Sequence, residues 1–142
     1  MAYPRNDQVQ YAIVDYLKNG TACSTVRDQL SDTDEIREDQ WQGTAFSYPA
    51  IRVRMIWNKP RVPQDSNCSQ ANIRLSIEAY SEQDSSQQAD RISGIIHSVL
   101  HARQFANQSV NLMLRTINLV PARRLEENVW KAECMMEGTA SG

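Results

Sequence analysis

The sequence contains few of the residues and motifs on which catalytic and metal-binding sites usually depend. Only two histidines and five glycines occur in 142 residues. A phosphate-binding glycine loop, a dinucleotide-binding fingerprint, a zinc-protease motif and a serine-hydrolase elbow are all missing. We therefore expect neither a catalytic site nor a bound cofactor.

Cysteine is also scarce, and its placement argues against two stabilising devices. Cys23, Cys68 and Cys134 are far apart, odd in number and outside any CxxC pair. This spacing is not that of a disulfide framework or of a structural zinc site. The N-terminus carries no apolar signal region, so we expect the chain to fold in a reducing cytoplasm.

The sequence has neither a strong net charge nor a long apolar run. A net charge of −2 gives no global basic field to attract nucleic acid. No stretch approaches the ~18 apolar residues of a membrane span, so we expect no membrane contact. The apolar content of 41% suits a globular protein. We expect one domain over 1–142, with a flexible arm at 1–5 and a flexible tail at 137–142.

The most regular pattern is a strand that leads into a helix between Gln70 and Arg103. Residues 71–80 alternate apolar and polar side chains, which predicts a strand with one buried and one solvent-facing side. The polar residues 81–86 have two capping-box spacings, so a helix should start near Gln87. Its apolar stripe at helical spacing consists of Ala89, Ile92, Ile96, Val99 and Leu100.

Other elements follow from the same two periodicities. A first helix is predicted over 7–19, with Tyr11 and Val14 outside its buried face. The face occupied by apolar residues changes within the fourth strand, which predicts a bulge near Arg115 or Thr116, and Pro121 should end that strand. Besides the strand at 71–80, strands are predicted over 50–57, 109–120 and 128–136.

These elements predict an α+β fold. The order is a helix, an irregular segment over 21–48, two strands, a helix and two strands. Strands joined by loops, with helices on one side, favour a two-layer domain with a mostly antiparallel sheet packed by two helices. In the irregular segment, Ile36, Trp41 and Phe46 are the expected apolar anchors, with a short strand near 35–42.

An acidic run lies in this irregular segment. Six acids oppose the single Arg37, a pattern typical of a solvated surface. Such a surface would repel DNA phosphates or meet a basic partner. The glycine of a calcium-binding EF-hand loop is missing, so we do not expect calcium. The candidate acidic surface consists of Asp28, Asp32, Asp34, Glu35, Glu38 and Asp39.

One polar face of the predicted second helix is a candidate contact surface. Asp90, Gly94, His97 and His101 lie together there, away from the apolar stripe. A glycine inside a helix costs ~1 kcal/mol against alanine, and close approach of a neighbouring subunit is one reason to keep it. Two histidines at i,i+4 also allow an alternative, a small metal-dependent enzyme that uses Asp90, His97 and His101.

Three arginines project from the expected solvent-facing sides of two strands. They are Arg52 and Arg54 in the strand at 50–57, and Arg74 in the next strand. Facing like charges destabilise a sheet, so these arginines require acidic partners, either in the same chain or in another subunit. Arg52, Arg54 and Arg74 are therefore candidate interface residues.

The arrangement resembles the tail terminator (tail completion) proteins of tailed bacteriophages. In that family a proline precedes a central strand, as Pro49 does here. The next strand runs into a helix with the pattern A-x-x-I/L-x-x-x-V/I-x-x-x-L, and the resemblance extends over about residues 7–136. The matching helix positions in this sequence are Ala89, Ile92, Ile96 and Leu100.

The resemblance implies a structural role in the virion. Members of the family form a ring, commonly a hexamer, that caps the tail tube, ends its polymerisation and docks onto the head connector. DNA passes through the ring without sequence-specific binding, and assembly takes place in the host cytoplasm. Another neck component, such as a connector or head-completion protein, is the alternative within the same class.

Overall fold

A computed structural model of the chain describes residues 4–38, 47–60, 70–82, 85–126 and 129–142. The predicted anchors Trp41 and Phe46 lie outside these ranges. The fold is α+β, as the sequence predicts, and α2 and β4 below are additional to the prediction. The helices are α1 (Asn6–Asn19), α2 (Ser24–Arg27) and α3 (Gln87–Leu100), and the strands are β1 (Ile36–Glu38), β2 (Ala50–Pro60), β3 (Gln70–Ser81), β4 (Arg103–Asn107), β5 (Val110–Glu126) and β6 (Val129–Ser141).

The strands form one sheet in the order β1-β2-β3-β6-β5-β4. All neighbouring pairs are antiparallel except β1 and β2, which run parallel. Helix α3 packs against the middle strands β3, β6 and β5, whereas α1 contacts β1 and β2 near one edge and β4 at the other. Since one helix touches both edge strands, the sheet curls around the helical layer.

The core lies between this concave side of the sheet and the helices. The whole predicted stripe of α3 is buried, as are Ile13 and Leu17 of α1 and the alternate positions Ile73, Leu75 and Ile77 of β3. Each buried Leu, Ile or Val side chain among them contributes about 1.5–3 kcal/mol through removal from water. Tyr11 is exposed as predicted, but Val14 is buried, because it meets the core at the border of the α1 stripe.

A bulge in β2 changes which side chains face the helices. Register against β3 shifts between Met55 and Trp57, so that Met55 pairs with Leu75 but Trp57 pairs with Arg74. The alternation of Ile51, Val53, Met55 and Trp57 in the sequence predicts that all four share one face, and for Trp57 this prediction is wrong. An inserted residue reverses the alternation of side chains beyond it.

A second register shift, in β5, lies where the sequence predicts a bulge. It falls between Thr116 and Asn118 in the pairing with β6. The predicted end of this strand at Pro121 is wrong, since β5 continues to Glu126. Two further register shifts occur beyond Val120, so proline is accommodated in an irregular part of the edge.

The predicted flexible tail is also wrong. Strand β6 continues from Val129 to Ser141, and Glu137–Ser141 pairs with both β3 and β5. Gly138 explains how the two backbones approach there, because a Cβ on this residue would lie 1.8 Å from the carbonyl oxygen of Met113. Small side chains at 138–141 therefore serve close strand packing.

Contacts between α1 and β4 hold the curled sheet closed. The rings of Tyr16 and Phe105 stack at a centroid distance of 4.1 Å. Nδ2 of Asn107 donates to the carbonyl oxygen of Ala12 at 2.8 Å and to Oδ2 of Asp15 at 2.9 Å. The hydrogen bond from Asn107 is the largest cause that lowers the pKa of Asp15. The charged carboxylate therefore favours the docked strand.

Candidate functional site

The face of the sheet opposite the helices, here called the outer face, carries a network of charged side chains. Glu78 of β3 lies at its centre and is 1% exposed. It accepts hydrogen bonds from Nε of Arg54 at 2.8 Å and from the hydroxyl of Tyr80, and Nζ of Lys131 lies 3.3 Å away. Burial alone raises the pKa of Glu78, but these donors and charges outweigh it and lower the pKa below its ordinary value.

This network changes the interpretation of the sequence pattern. Glu78 and Ser76 occupy the side of β3 that the alternation predicts to face solvent, yet both are buried. The long side chains of neighbouring strands cover them, as Arg54 and Lys131 do for Glu78. Arg54 thus has an acidic partner within the chain, which is one of the two outcomes expected from its position.

A second ion pair is buried beside β1. Nη2 of Arg52 lies 3.0 Å from Oε1 of Glu35, and both side chains are at most 5% exposed. Nε of Arg37 also lies 3.6 Å from Oε1 of Glu35, and the amide of Ser47 donates to Oε2 of Glu35 at 2.9 Å. The expectations that Glu35 belongs to an acidic surface and that Arg52 faces solvent are therefore wrong. Both were assigned from spacing along the chain, whereas the pairing depends on contact between β1 and β2.

The other described acids of the run remain on the surface. Asp28, Asp32, Asp34 and Glu38 are exposed, and Asp39 lies outside the described residues. Oδ1 of Asp32 accepts the Asp34 amide at 2.9 Å, which starts a short 3₁₀ turn. Lys18 lies 3.5 Å from Asp34. We refer to these four exposed carboxylates as the acidic surface.

Described residues of the outer face form a concavity of about 440 Å³ that sequence reasoning missed. Trp57 and Met113 form apolar walls, and Glu137 joins two arginines at the rim. Nη2 of Arg74 lies 2.9 Å, and Nη2 of Arg115 2.7 Å, from the carboxylate of Glu137. Their hydrogen bonds lower the pKa of Glu137, so it is ionised at neutral pH.

More positive charge surrounds the same concavity. Nζ of Lys59 lies 4.6 Å from the centre of the Trp57 ring, and the guanidinium of Arg74 lies 5.5 Å from it. Nε of Arg74 is buried and has no hydrogen-bond partner in the described part of the chain. The available sequence signal was three successive apolar residues at 55–57, which are typical of a bulge and place Trp57 on the outer face.

The polar face of α3 meets the edge of β5. His97 Nδ1 lies 2.7 Å from Oγ1 of Thr116, and the amide of Thr116 donates to Nδ1 of His101 at 2.8 Å. The Ala122 amide donates to Oδ1 of Asp90 at 2.7 Å. Strand β4 pairs only with Val110–Leu114. Side chains of α3 and of His101 just after it thus accept hydrogen bonds from amides of β5 beyond the end of β4, which protects this part of the sheet edge.

Gly94 stands apart from these contacts. It is exposed, and a Cβ built on it meets no atom within 4 Å. Close packing inside the subunit therefore does not explain the glycine. The surface around Gly94 is open to a contact from outside the chain.

The described residues contain no grouping suited to a metal. Within residues 4–38, 47–60, 70–82, 85–126 and 129–142, no three His, Cys, Asp or Glu side chains come together. Cys23 and Cys134 are buried free thiols, and burial raises the pKa of each to about 11. Their protonated thiols are poor nucleophiles. Among the described helices, none has the length and apolar character required to span a membrane.

Comparisons with known proteins bear on the fold. No family model and no curated protein matches the chain. Among solved structures, a chain from the "virion of native gene transfer agent (GTA) particle" has a similar fold, with a TM-score of 0.66. The alignment covers 94% of this chain and 95% of that chain at 12% sequence identity. Both chains thus share one architecture over nearly their whole length.

Proposed function

We propose that the protein is a structural component of a phage-like virion and acts as a tail terminator. The similarity in fold to a chain of the gene transfer agent virion, which spans 94% of this chain, is the observation that carries the proposal. The helix pattern of Ala89, Ile92, Ile96 and Leu100 supports the same class of protein, and all four side chains are buried.

In this role the protein forms a ring, most simply a hexamer, on the end of the tail tube. The ring stops addition of tube subunits and binds the head connector on its other side. A ring requires a head-to-tail contact in which each subunit uses two different surfaces. The polar face of α3 around Gly94 and the arginines of the outer face are candidates for these contacts.

The proposed role is non-enzymatic, and two features support it. His97 of α3 and His101 just after it, the candidates for a metal-dependent site, are both engaged with Thr116. The charged groups with lowered pKa values are held in ion pairs and hydrogen bonds of structural type, as Glu78 and Glu137 are. DNA would pass through the ring without sequence-specific contacts.

Tail assembly provides the direct test. Tails should be assembled with and without the protein, and tube lengths measured by negative-stain electron microscopy. We expect tubes of uniform length that carry a ring at one end with the protein, and overlong tubes without it. If tube length is unchanged but heads fail to join tails, a connector or head-completion role is correct instead.

Gly94 provides a test of the α3 contact. Gly94→Leu should keep or slightly raise the melting temperature of the isolated subunit, because a Cβ there meets no atom and leucine favours a helix over glycine. It should weaken ring formation, measured by size exclusion with light scattering. Gly94→Ala is the matched control, since it adds one methyl group. An unfolded Gly94→Leu subunit would contradict an exposed contact surface.

A further inference from the structure

The concavity on the outer face carries more positive than negative charge. Arg115 lines it, Lys59 and Arg74 lie beside its Trp57 wall, and Glu137 is the carboxylate among its lining residues. Glu137 is shared by both arginines, so the cations here outnumber the carboxylate that they contact. The concavity therefore fits a ligand that brings carboxylates, and its apolar walls fit a ligand that also brings apolar atoms.

The same chain offers such a ligand on another surface. The acidic surface presents Asp28, Asp32, Asp34 and Glu38, all exposed, against the nearby cation Lys18. Half-buried Leu30 lies between these acids in sequence. The two surfaces share no residue, so a contact between them joins two copies head-to-tail.

We propose that the outer-face concavity receives the acidic surface of a second copy of this chain. The contact joins neighbouring subunits of the assembly, and it rests on the proposed ring-forming function. Opposite charges at such a contact fix its orientation and speed its formation. Because each copy has one concavity and one acidic surface, the contact repeats around a closed ring.

Nucleic acid fits the concavity less well than a second copy does. Cations lie over the Trp57 ring, as Lys59 and Arg74 show, and this limits its use for stacking a base. Glu137 stands between the two arginines and repels phosphate. The net charge of −2 gives no wider field to hold a nucleic acid.

A charge swap between two variants tests the contact. The first variant, Lys59→Glu with Arg115→Gln, makes the concavity negative, since Arg74 then stands against Glu137 and a new carboxylate. The second, Asp28→Lys with Asp34→Lys and Glu38→Lys, makes the acidic surface positive, because three lysines then outnumber the carboxylate of Asp32. Neither variant should associate with itself, and each should show a dissociation constant raised by about tenfold or more in light scattering.

Mixing the two variants separates a specific contact from general charge effects. In an alternating ring every concavity of one variant then faces a surface of opposite charge, so assembly should return. Arg123→Glu with Arg103→Gln is the control, because both arginines are exposed and lie outside the concavity. The control should assemble as wild type does. Circular dichroism melts should confirm that every variant folds.

The outcomes distinguish failure of the inference from failure of the function. If wild type and the first variant assemble equally well, or if mixing does not restore assembly, the concavity is not the contact between subunits. The proposed ring is not affected by that result. If the wild type stays monomeric at all concentrations and on tail tubes, both proposals fail. If the first variant keeps assembly but loses binding to a labelled DNA duplex, the concavity binds nucleic acid.

Discussion

The backbone amide of Thr116 donates a 2.8 Å hydrogen bond to Nδ1 of His101, beside the point where β5 shifts its register against β6. In this contact Nδ1 of His101 is the acceptor, through its free lone pair. A side chain just after the C-terminal end of α3 thus occupies the position that a neighbouring strand would fill. The register shift in β5 and the hydrogen bond that His101 accepts at the strand edge therefore occur at the same residue, Thr116.

Removing this acceptor should expose the edge of β5. We expect His101→Ala to lower the free energy of unfolding by about 1 kcal/mol, the usual net value of one hydrogen bond. Hydrogen exchange at the Thr116 amide should become faster. His101→Asn is the matched control, because its Oδ1 occupies a position similar to Nδ1. Equal exchange rates in wild type and His101→Ala would show that the bond is not formed in solution.

Two glycines should respond in opposite ways to alanine. Gly138→Ala places a Cβ 1.8 Å from the carbonyl oxygen of Met113, and a backbone atom cannot move away cheaply. We expect a loss of about 2 kcal/mol or more, by analogy with overpacked cores. Gly94→Ala meets no atom and should stabilise α3 by up to ~1 kcal/mol. The free energy of unfolding of both variants should be measured by urea denaturation. An unchanged free energy of unfolding in Gly138→Ala would contradict the close approach of β5 and β6.

Glu35 should be the acid of its segment on which folding depends. Glu35→Gln removes the carboxylate from the buried ion pair with Arg52, which should cost about 3 kcal/mol. The side chain of Asp34 is 72% exposed, so Asp34→Asn should change stability little. Surface ion pairs such as Lys18–Asp34 contribute ~0–1 kcal/mol. Thermal melts of the two variants provide the measurement. Similar melting temperatures would indicate that Glu35 is not buried.

Glu78 should make stability depend on acid pH. Its pKa in the folded chain is lowered, so its contribution is present above the unfolded pKa and is lost as pH falls through the folded pKa. Wild type should therefore lose more stability than Glu78→Gln between neutral and acid pH. Glu82→Gln, at an exposed position, is the control. Parallel curves for wild type and Glu78→Gln would show that the network does not hold this carboxylate.

The regular elements were predictable because they depend on local periodicity. The stripe of α3 follows from residue spacing alone, and each of its members is buried. The change of face near Thr116 was also visible, since apolar residues switch sides there. Strand β4 was missed because its five residues are mostly exposed and show no clear alternation.

The candidate surfaces were less predictable because they depend on contacts between distant residues. Nothing near Glu35 in sequence indicates that Arg52 pairs with it across two strands. The bulge before Trp57 moves this side chain to the outer face of the sheet. A regular alternation of apolar and polar residues in β2 therefore does not predict the concavity. The histidines of α3 were identified as a group, but their link to Thr116 required the register of β5.

The position of β6 has a consequence for how the chain folds. This strand lies between β3 and β5, so β3 has no partner on that side until residues 129–141 have left the ribosome. Asn107 likewise docks on Ala12 across 95 positions of sequence. Native pairing is therefore dominated by non-local contacts, and such topologies fold slowly compared with helical bundles. An incomplete chain presents an unpaired β3 edge to its neighbours, so folding and assembly compete for the same edge during synthesis.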